Sequence, residues 1–259
     1  MKRVTIAEIA QHLDATLRVA EIPDFAGAVN GIQVETESPI TKVAAAVDAR
    51  ERTIRAAADA AANLLIVHHG LFWSGTQPLR GAFLRRVRLL LEHNIAVYSA
   101  HLPLDMHPDL GNNALLAREL GLQPSAGFAR YKTIDIGVAG VCDMATSELI
   151  DRTARFASAH GHEVRTAGDA DGRLTKRWAI CTGAGAGQET LREAISSGID
   201  TLIVGEGPHW TAIDAEEAGL TIIYAGHYAT ETLGVRALAE HVGTTYGLSW
   251  VFLEAPTGL

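Results

Sequence analysis

The chain has 259 residues, 47% of them hydrophobic, which is enough apolar material for one large core or two smaller ones. Its formal charge is −8, from 22 basic and 30 acidic residues, so its overall field attracts neither nucleic acid nor an anionic membrane. The two cysteines, Cys142 and Cys181, lack CxxC spacing; this argues against a disulfide framework, a zinc ribbon and an iron–sulfur cluster, and fits a reducing, cytoplasmic setting.

The opening MKRVTIAEIAQHLD is interrupted by Glu8 and Asp14, so it does not read as a signal peptide. Residues 4–18 predict an amphipathic helix instead, with Thr5 as N-cap and Glu8 completing a capping box. A loop, GAVNGIQVE, follows. KVAAAV (42–47) predicts a strand, 51–62 an Ala-rich helix and LLIV (64–67) a second strand, which is the β-α-β rhythm of a parallel sheet. Between Ala60 and Leu79 no residue is fully charged, but Asn63, His68, His69, Ser74, Gln77 and Pro78 break the run well short of a membrane span. A helix at 83–93 carries most of the cluster Arg80, Arg85, Arg86 and Arg88, which reads as a solvated face. AVYS (96–99) predicts a third strand and 112–120 a helix closed by Gly121.

The second half repeats this pattern loosely. Helices are predicted at 189–197, 210–218 and 234–241, and strands at TLIV (201–204) and TIIY (221–224). NLLIVHHGLFW and DTLIVGEGPHW, and likewise AVYSAHLPLDM and IIYAGHYATET, look like units used twice. Residues 125–187 are less rhythmic. TGAGAG (182–187) follows the strand-like WAIC; without GK[ST] or GxGxxG spacing it reads as a tight strand-to-helix turn and not a phosphate loop. The expected architecture is α/β, two related lobes with mainly parallel sheets. The N-terminal lobe spans 1–126 and the C-terminal lobe 127–259, with intertwining of the two left open.

Three strand ends carry metal-competent side chains: His68 and His69 after LLIV, His101 with Asp105 after AVYSA, and His227 with Glu231 after TIIYAG. In open parallel sheets the strand carboxyl ends share one edge, where ligands bind, so groups distant in sequence can converge there. A spacing of four residues puts His227 and Glu231 on one face of a helical turn. Imidazoles and carboxylates without thiolate suit zinc, manganese, iron, cobalt or nickel. Five or six ligands exceed the need of one tetrahedral ion and point to two divalent ions bridged by a carboxylate. Asp109 and Glu206 fall near these ligands in sequence, as candidate orienting or acid–base groups. The other histidines read as surface or core residues.

LLIVHHGLFW, then SAHLPLD, then AGHYATE, with NGIQV upstream, resemble in that order the Nif-like family of dinuclear metal proteins. Its members carry names such as GTP cyclohydrolase I type 2 homologue and NGG-interacting factor. The likeness runs from Asn30 to Glu231. It implies metal ligands at His68, His69, Asp105, His227 and Glu231, the last bridging, with His101 as a sixth ligand or a supporting group. It also implies two α/β lobes with the metals in a cleft between them and a ring-shaped homohexamer. GEGPHW (205–210) departs from the family pattern and bears on substrate, not on metal.

The function expected from this is a metal-dependent hydrolase of a small molecule. The family name adds a nucleotide, with water attacking C8 of the guanine of GTP and His101 or Glu206 moving protons. The alternative from another class is a non-catalytic, ring-shaped metal-binding or regulatory assembly.

Overall fold

A computed structural model describes residues 3–259; Lys2, one of the basic residues of the opening segment, lies outside them. Helix α1 (Ile6–Leu17) starts as its sequence requires: Thr5 accepts the Glu8 amide at 3.2 Å, and the Glu8 carboxylate accepts the Thr5 amide at 2.9 Å. Strand β1 (Gly31–Val34), β2 (Lys42–Asp48), α2 (Glu51–Asp59), β3 (Leu64–His69), α3 (Gly81–Glu92), β4 (Ala96–Ser99) and the single turn α4 (Leu102–Asp105) follow. The chain continues through α5 (Asn112–Glu119), β5 (Ala126–Tyr131), β6 (Ile134–Ala145), α6 (Thr146–Ala159), β7 (Arg165–Ala167) and β8 (Leu174–Cys181). It ends with α7 (Gln188–Ser196), β9 (Thr201–Val204), α8 (Trp210–Ala218), β10 (Thr221–Tyr224), the turn α9 (His227–Thr230), α10 (Thr232–Tyr246) and β11 (Ser249–Phe252).

These elements form two units, each on its own sheet. The first takes the residues up to Leu104 together with Gly234–Ala255. Its sheet has the order β1-β4-β3-β2-β11, parallel except for the β1–β4 edge. Parallel strands are covered on both faces, which is why LLIV is apolar throughout. Leu65 and Val67 face a core with Ile54 and Ala57 of α2 and Phe83, Leu89 and Leu90 of α3; Leu64 and Ile66, also fully buried, face the other way. The stretch GAVNGIQVE, expected as loop, contains β1: its pairing with β4 orders a segment whose own residues carry little strand signal.

The second unit spans Asp105–Leu233 and Pro256–Leu259. Its sheet has the order β5-β6-β8-β9-β10-β7, in which β8, β9 and β10 are parallel and the remaining pairings antiparallel. Ala179, Cys181, Leu202, Val204 and Ile222 pack toward Leu191 and Ala194 of α7 and Ala215 of α8. Trp178, Ile180, Ile203 and Ile223 pack toward Leu116 of α5 and Leu149 and Phe156 of α6. Both sheets therefore bring strand carboxyl ends to one edge of their own unit, and β4 in the first and β10 in the second are each followed by a single helical turn, α4 and α9.

Candidate metal centre

In the first unit β3 ends on His68 and His69, and His101 stands two residues beyond the end of β4. The ligand atoms of His68, His69 and His101 lie within 4.8 Å of one another, close enough to hold a metal ion. His68 is fully buried, and His101 is 9% exposed. Each ring is held from behind: His68 Nδ1 lies 2.9 Å from the Ala100 carbonyl, His69 Nδ1 3.0 Å from Asp48 Oδ1, and His101 Nδ1 2.8 Å from Asp24 Oδ1. Carbonyl and carboxylate oxygens only accept, so Nδ1 carries the proton in all three rings and Nε2 is the nitrogen offered to an ion. This is the arrangement that fixes tautomer and orientation in metal-binding histidines.

Asp24 supports this edge at three points. Besides His101, its carboxylate accepts the Leu102 amide at 2.9 Å and the Asn30 side-chain amide at 2.8 Å, while Asn30 Oδ1 accepts the His101 amide at 2.8 Å. Burial alone would raise the Asp24 pKa; the bond to His101 and the charge of that ring outweigh it and hold the carboxyl below the ordinary range. Gln33 accepts the Leu71 amide at 2.6 Å and donates to the Ala28 and Val29 carbonyls, tying the NGIQV segment to the loop after β3.

In the second unit the helical spacing of His227 and Glu231 brings His227 Nε2 within 3.2 Å of Glu231 Oε2, while His227 Nδ1 lies 2.7 Å from Glu206 Oε1. Burial works against charge on this imidazole, but the hydrogen bonds and charges of Glu231 and then Glu206 prevail, and its pKa is pushed up to about 9. Glu231 is 3% exposed and packs against the Gly-rich turn. A Cβ at Gly183, whose φ is +62°, would sit 2.2 Å from Glu231 Oε1. TGAGAG is thus the tight strand-to-helix turn its sequence suggests, and its glycine makes room for a buried carboxylate.

Asp105, also in this unit and 7% exposed, accepts from the Asn112 side chain at 2.9 Å. Asn113 donates to the Asp105 and Ile136 carbonyls and accepts the Thr182 amide, so one buried amide ties α5 to β6 and to the Gly-rich turn. Cys181 is shut inside this unit. Burial and the charges of Asp105, Glu193 and Glu231 push its thiol up to about 12, so it stays protonated and the donor set is nitrogen and oxygen.

The first unit therefore gathers His68, His69 and His101, and the second gathers His227, Glu231 and Glu206. Asp109, considered from its place in sequence, is an exposed partner of Arg118 at 3.2 Å. Asp24, Asn30, Asp48, Asn112 and Asn113 escaped the sequence reading. Asp24 and Asp48 are single acids between non-polar neighbours, Asn112 and Asn113 open a helix, and only the NGIQV motif, which includes Asn30, carried any signal.

The sequence pattern of the Duf34/NIF3 (NGG1p interacting factor 3) family matches residues 4–257. A protein of Deinococcus radiodurans named GTP cyclohydrolase 1 type 2 homolog is 37% identical over 97% of this chain and 94% of its own length. One of the same name from Archaeoglobus fulgidus is 37% identical over 99% and 100%. Among solved structures, protein ybgI, described as of unknown function, superimposes with a TM-score of 0.87 at 34% identity, covering 100% of both chains. TTHA1606 from Thermus thermophilus superimposes with 0.82 at 35% identity, over 99% of this chain and 100% of its own. Fold, motif order and full-length identity agree: the chain belongs to the Duf34/NIF3 family.

Proposed function

We propose that the protein is a dinuclear metal-dependent hydrolase acting on a nucleotide. In this reading His68, His69, Asp105, His227 and Glu231 hold two divalent ions from the zinc, manganese, iron, cobalt and nickel group, with Glu231 between them. The observation that carries it is the shared Nδ1 anchoring of His68, His69 and His101, which presents Nε2 of each ring in the metal-binding form, and His227 Nδ1 is backed by Glu206 in the same way. Bound divalent ions supply an acidified water and positive charge over the attacked centre. The chain supplies the rest. His101, backed by Asp24, would take up a proton; Glu206, which contacts His227 Nδ1 and is half-exposed, would pass protons to solvent. The names of the relatives in Deinococcus radiodurans and Archaeoglobus fulgidus support GTP as the nucleotide to test first.

Glu231→Gln tests the reading. It keeps size and shape but removes the charge that offsets repulsion between two close cations. Elemental analysis of the parent should give two ions per chain. The variant should lose at least one ion and its turnover of GTP while its thermal unfolding is retained. Two ions and full turnover in the variant would remove Glu231 from the bridge. Loss of ions with no change in the best activity found would favour the second reading, a ring-shaped metal-binding assembly, which the family resemblance supports through its homohexamer. Light scattering reporting a monomer at micromolar concentration would remove the ring.

A further inference from the structure

Beside the histidine cluster of the first unit stand two aromatic side chains that the metal reading does not use. Trp73 is 38% exposed and Phe25 50%, a large apolar area left in water next to a buried polar cluster. The Trp73 ring lies 4.7 Å from that of His101 and 5.6 Å from that of His69, near-perpendicular to both at 79°. Phe25 lies 5.9 Å from His101 and 6.4 Å from Trp73, and the two aromatic planes are tilted at 51°, so neither uses its face to stack on the other. Phe25 is tied to the carboxylate that orients His101, and Trp73 lies in ring contact with two of the histidines. Phe25 follows Asp24 and donates its amide to the Asp24 carboxylate at 2.7 Å, and Trp73 follows the His-His-Gly turn.

We propose that Phe25 and Trp73 are a substrate-positioning platform that holds a planar heteroaromatic ring by stacking beside the histidine cluster. A ring whose reacting atom lies at the cluster must extend over its neighbours, and within about 6 Å those neighbours include these two aromatics. A cationic ligand, the other partner suited to aromatic faces, would be repelled by the divalent ions the cluster is proposed to hold. Neither Phe nor the indole face offers a hydrogen-bond pattern, so the platform grips flat rings by area and does not read their edges. This inference deepens the proposed function and rests on its premise that a substrate meets the histidine cluster.

Calorimetric titration of metal-loaded, full-length protein with guanosine, adenosine, uridine and ribose 5-phosphate tests it, with elemental analysis and light scattering on the same preparations. Guanosine and adenosine should bind alike and uridine more weakly. Trp73→Leu should weaken purine nucleosides by about tenfold, the loss of one base–aromatic stack, and leave ribose 5-phosphate unchanged. Trp73→Phe should restore most of the affinity. Trp210→Leu, which removes the equally exposed tryptophan at the corresponding place in the second repeat, should match the parent.

Equal guanosine binding by parent and Trp73→Leu overturns the proposal. So does a loss that extends equally to ribose 5-phosphate, or a change in molar mass on Trp73→Leu, which would make the aromatic pair a contact between copies of the chain. A parent that holds two ions and binds no nucleoside ends the platform and leaves the metal reading intact. Trp73-dependent nucleoside binding by protein that takes up no ion does the reverse.

Discussion

The pair β3–β4 in the first unit and the pair β9–β10 in the second are built alike at one end and differ at the other. At the amino end, Asn63 Oδ1 accepts the amides of Thr41 and Lys42 at 2.9 and 3.4 Å, and Asp200 Oδ2 accepts those of Lys176 and Arg177, both at 2.9 Å. The same two residues bridge their neighbouring strands through their own backbones: Asn63 to Lys42 and Ala96, Asp200 to Arg177 and Thr221. Beyond the strands the likeness continues for one bond, with the Ala100 amide on the Val67 carbonyl and the Ala225 amide on that of Val204. Then it stops. Where the first pair carries His68 and His69, the second carries Gly205 and Glu206, and a Cβ at Gly205 would sit 2.4 Å from the Gly183 carbonyl. The second repeat has no room for a histidine there and keeps the imidazole of the turn after β10, His227, which answers in sequence to His101 of the first repeat, with Glu206 behind it. One frame is used twice, and the two copies diverge at the edge where side chains do chemistry.

The largest effect should come from forcing the second repeat toward the first. Gly205→Ala puts a methyl against the Gly183 backbone and Thr230 Oγ1, and overpacking of this kind should cost about 3 kcal/mol, read as a lower melting temperature. The groups behind the rings should matter next. Asp24→Asn should weaken metal binding by about a hundredfold and Glu206→Gln by about tenfold, the two ends of the range for groups that orient a ligand. The order follows burial: Asp24 is 7% exposed and Glu206 41%. Competitive chelator titration measures both, and equal effects would mean that the imidazoles are held by packing and not by these carboxylates.

The shared clamp at the amino end should be worth less. Asp200→Ala should destabilise by about 2 kcal/mol and Asn63→Ala by about 1 kcal/mol in denaturant unfolding, since a charged acceptor contributes more per bond and the Asp200 bonds are both short. A last contrast separates the units by pH, in metal-free protein. The His227 pKa is about 9, above its ordinary 6.5, so its contribution is complete below pH 6.5 and is lost as pH rises through 9. In the first unit His241, 2.8 Å from His12 across α1 and α10, is lowered by burial and by the neighbouring charge, so its contribution is present above pH 6.5 and is lost on acidification. Proton NMR titration of the two imidazoles should show midpoints displaced in opposite directions.

The parallel parts of both sheets were legible because they bury both faces. Uninterrupted apolar runs such as LLIV, TLIV and TIIY mark such strands, and the residues on either side mark their helices. The stretch 125–187 was not. β6 runs antiparallel to both neighbours, is only partly buried, contains two glycines and changes register between Val141 and Met144, so no clean period survives. The β5–β6 connection, Lys132-Thr133, lacks the Asn-Gly signal of a tight hairpin. β11 has little to announce it, because Ser249–Phe252 becomes a strand by pairing with β2, far away in the chain.

The sequence by itself determined the candidate ligand types and their places at or just beyond strand ends, because apolar strands closed by histidine are an uncommon pattern and the motif order marks the family. Only the tertiary structure decided which nitrogen each histidine presents. That choice depends on the oxygen behind the ring, supplied by Asp24, Asp48, Ala100 or Glu206 from other segments of the chain. A hydrogen bond needs its partners within about 3 Å, and no local pattern of residues encodes that distance.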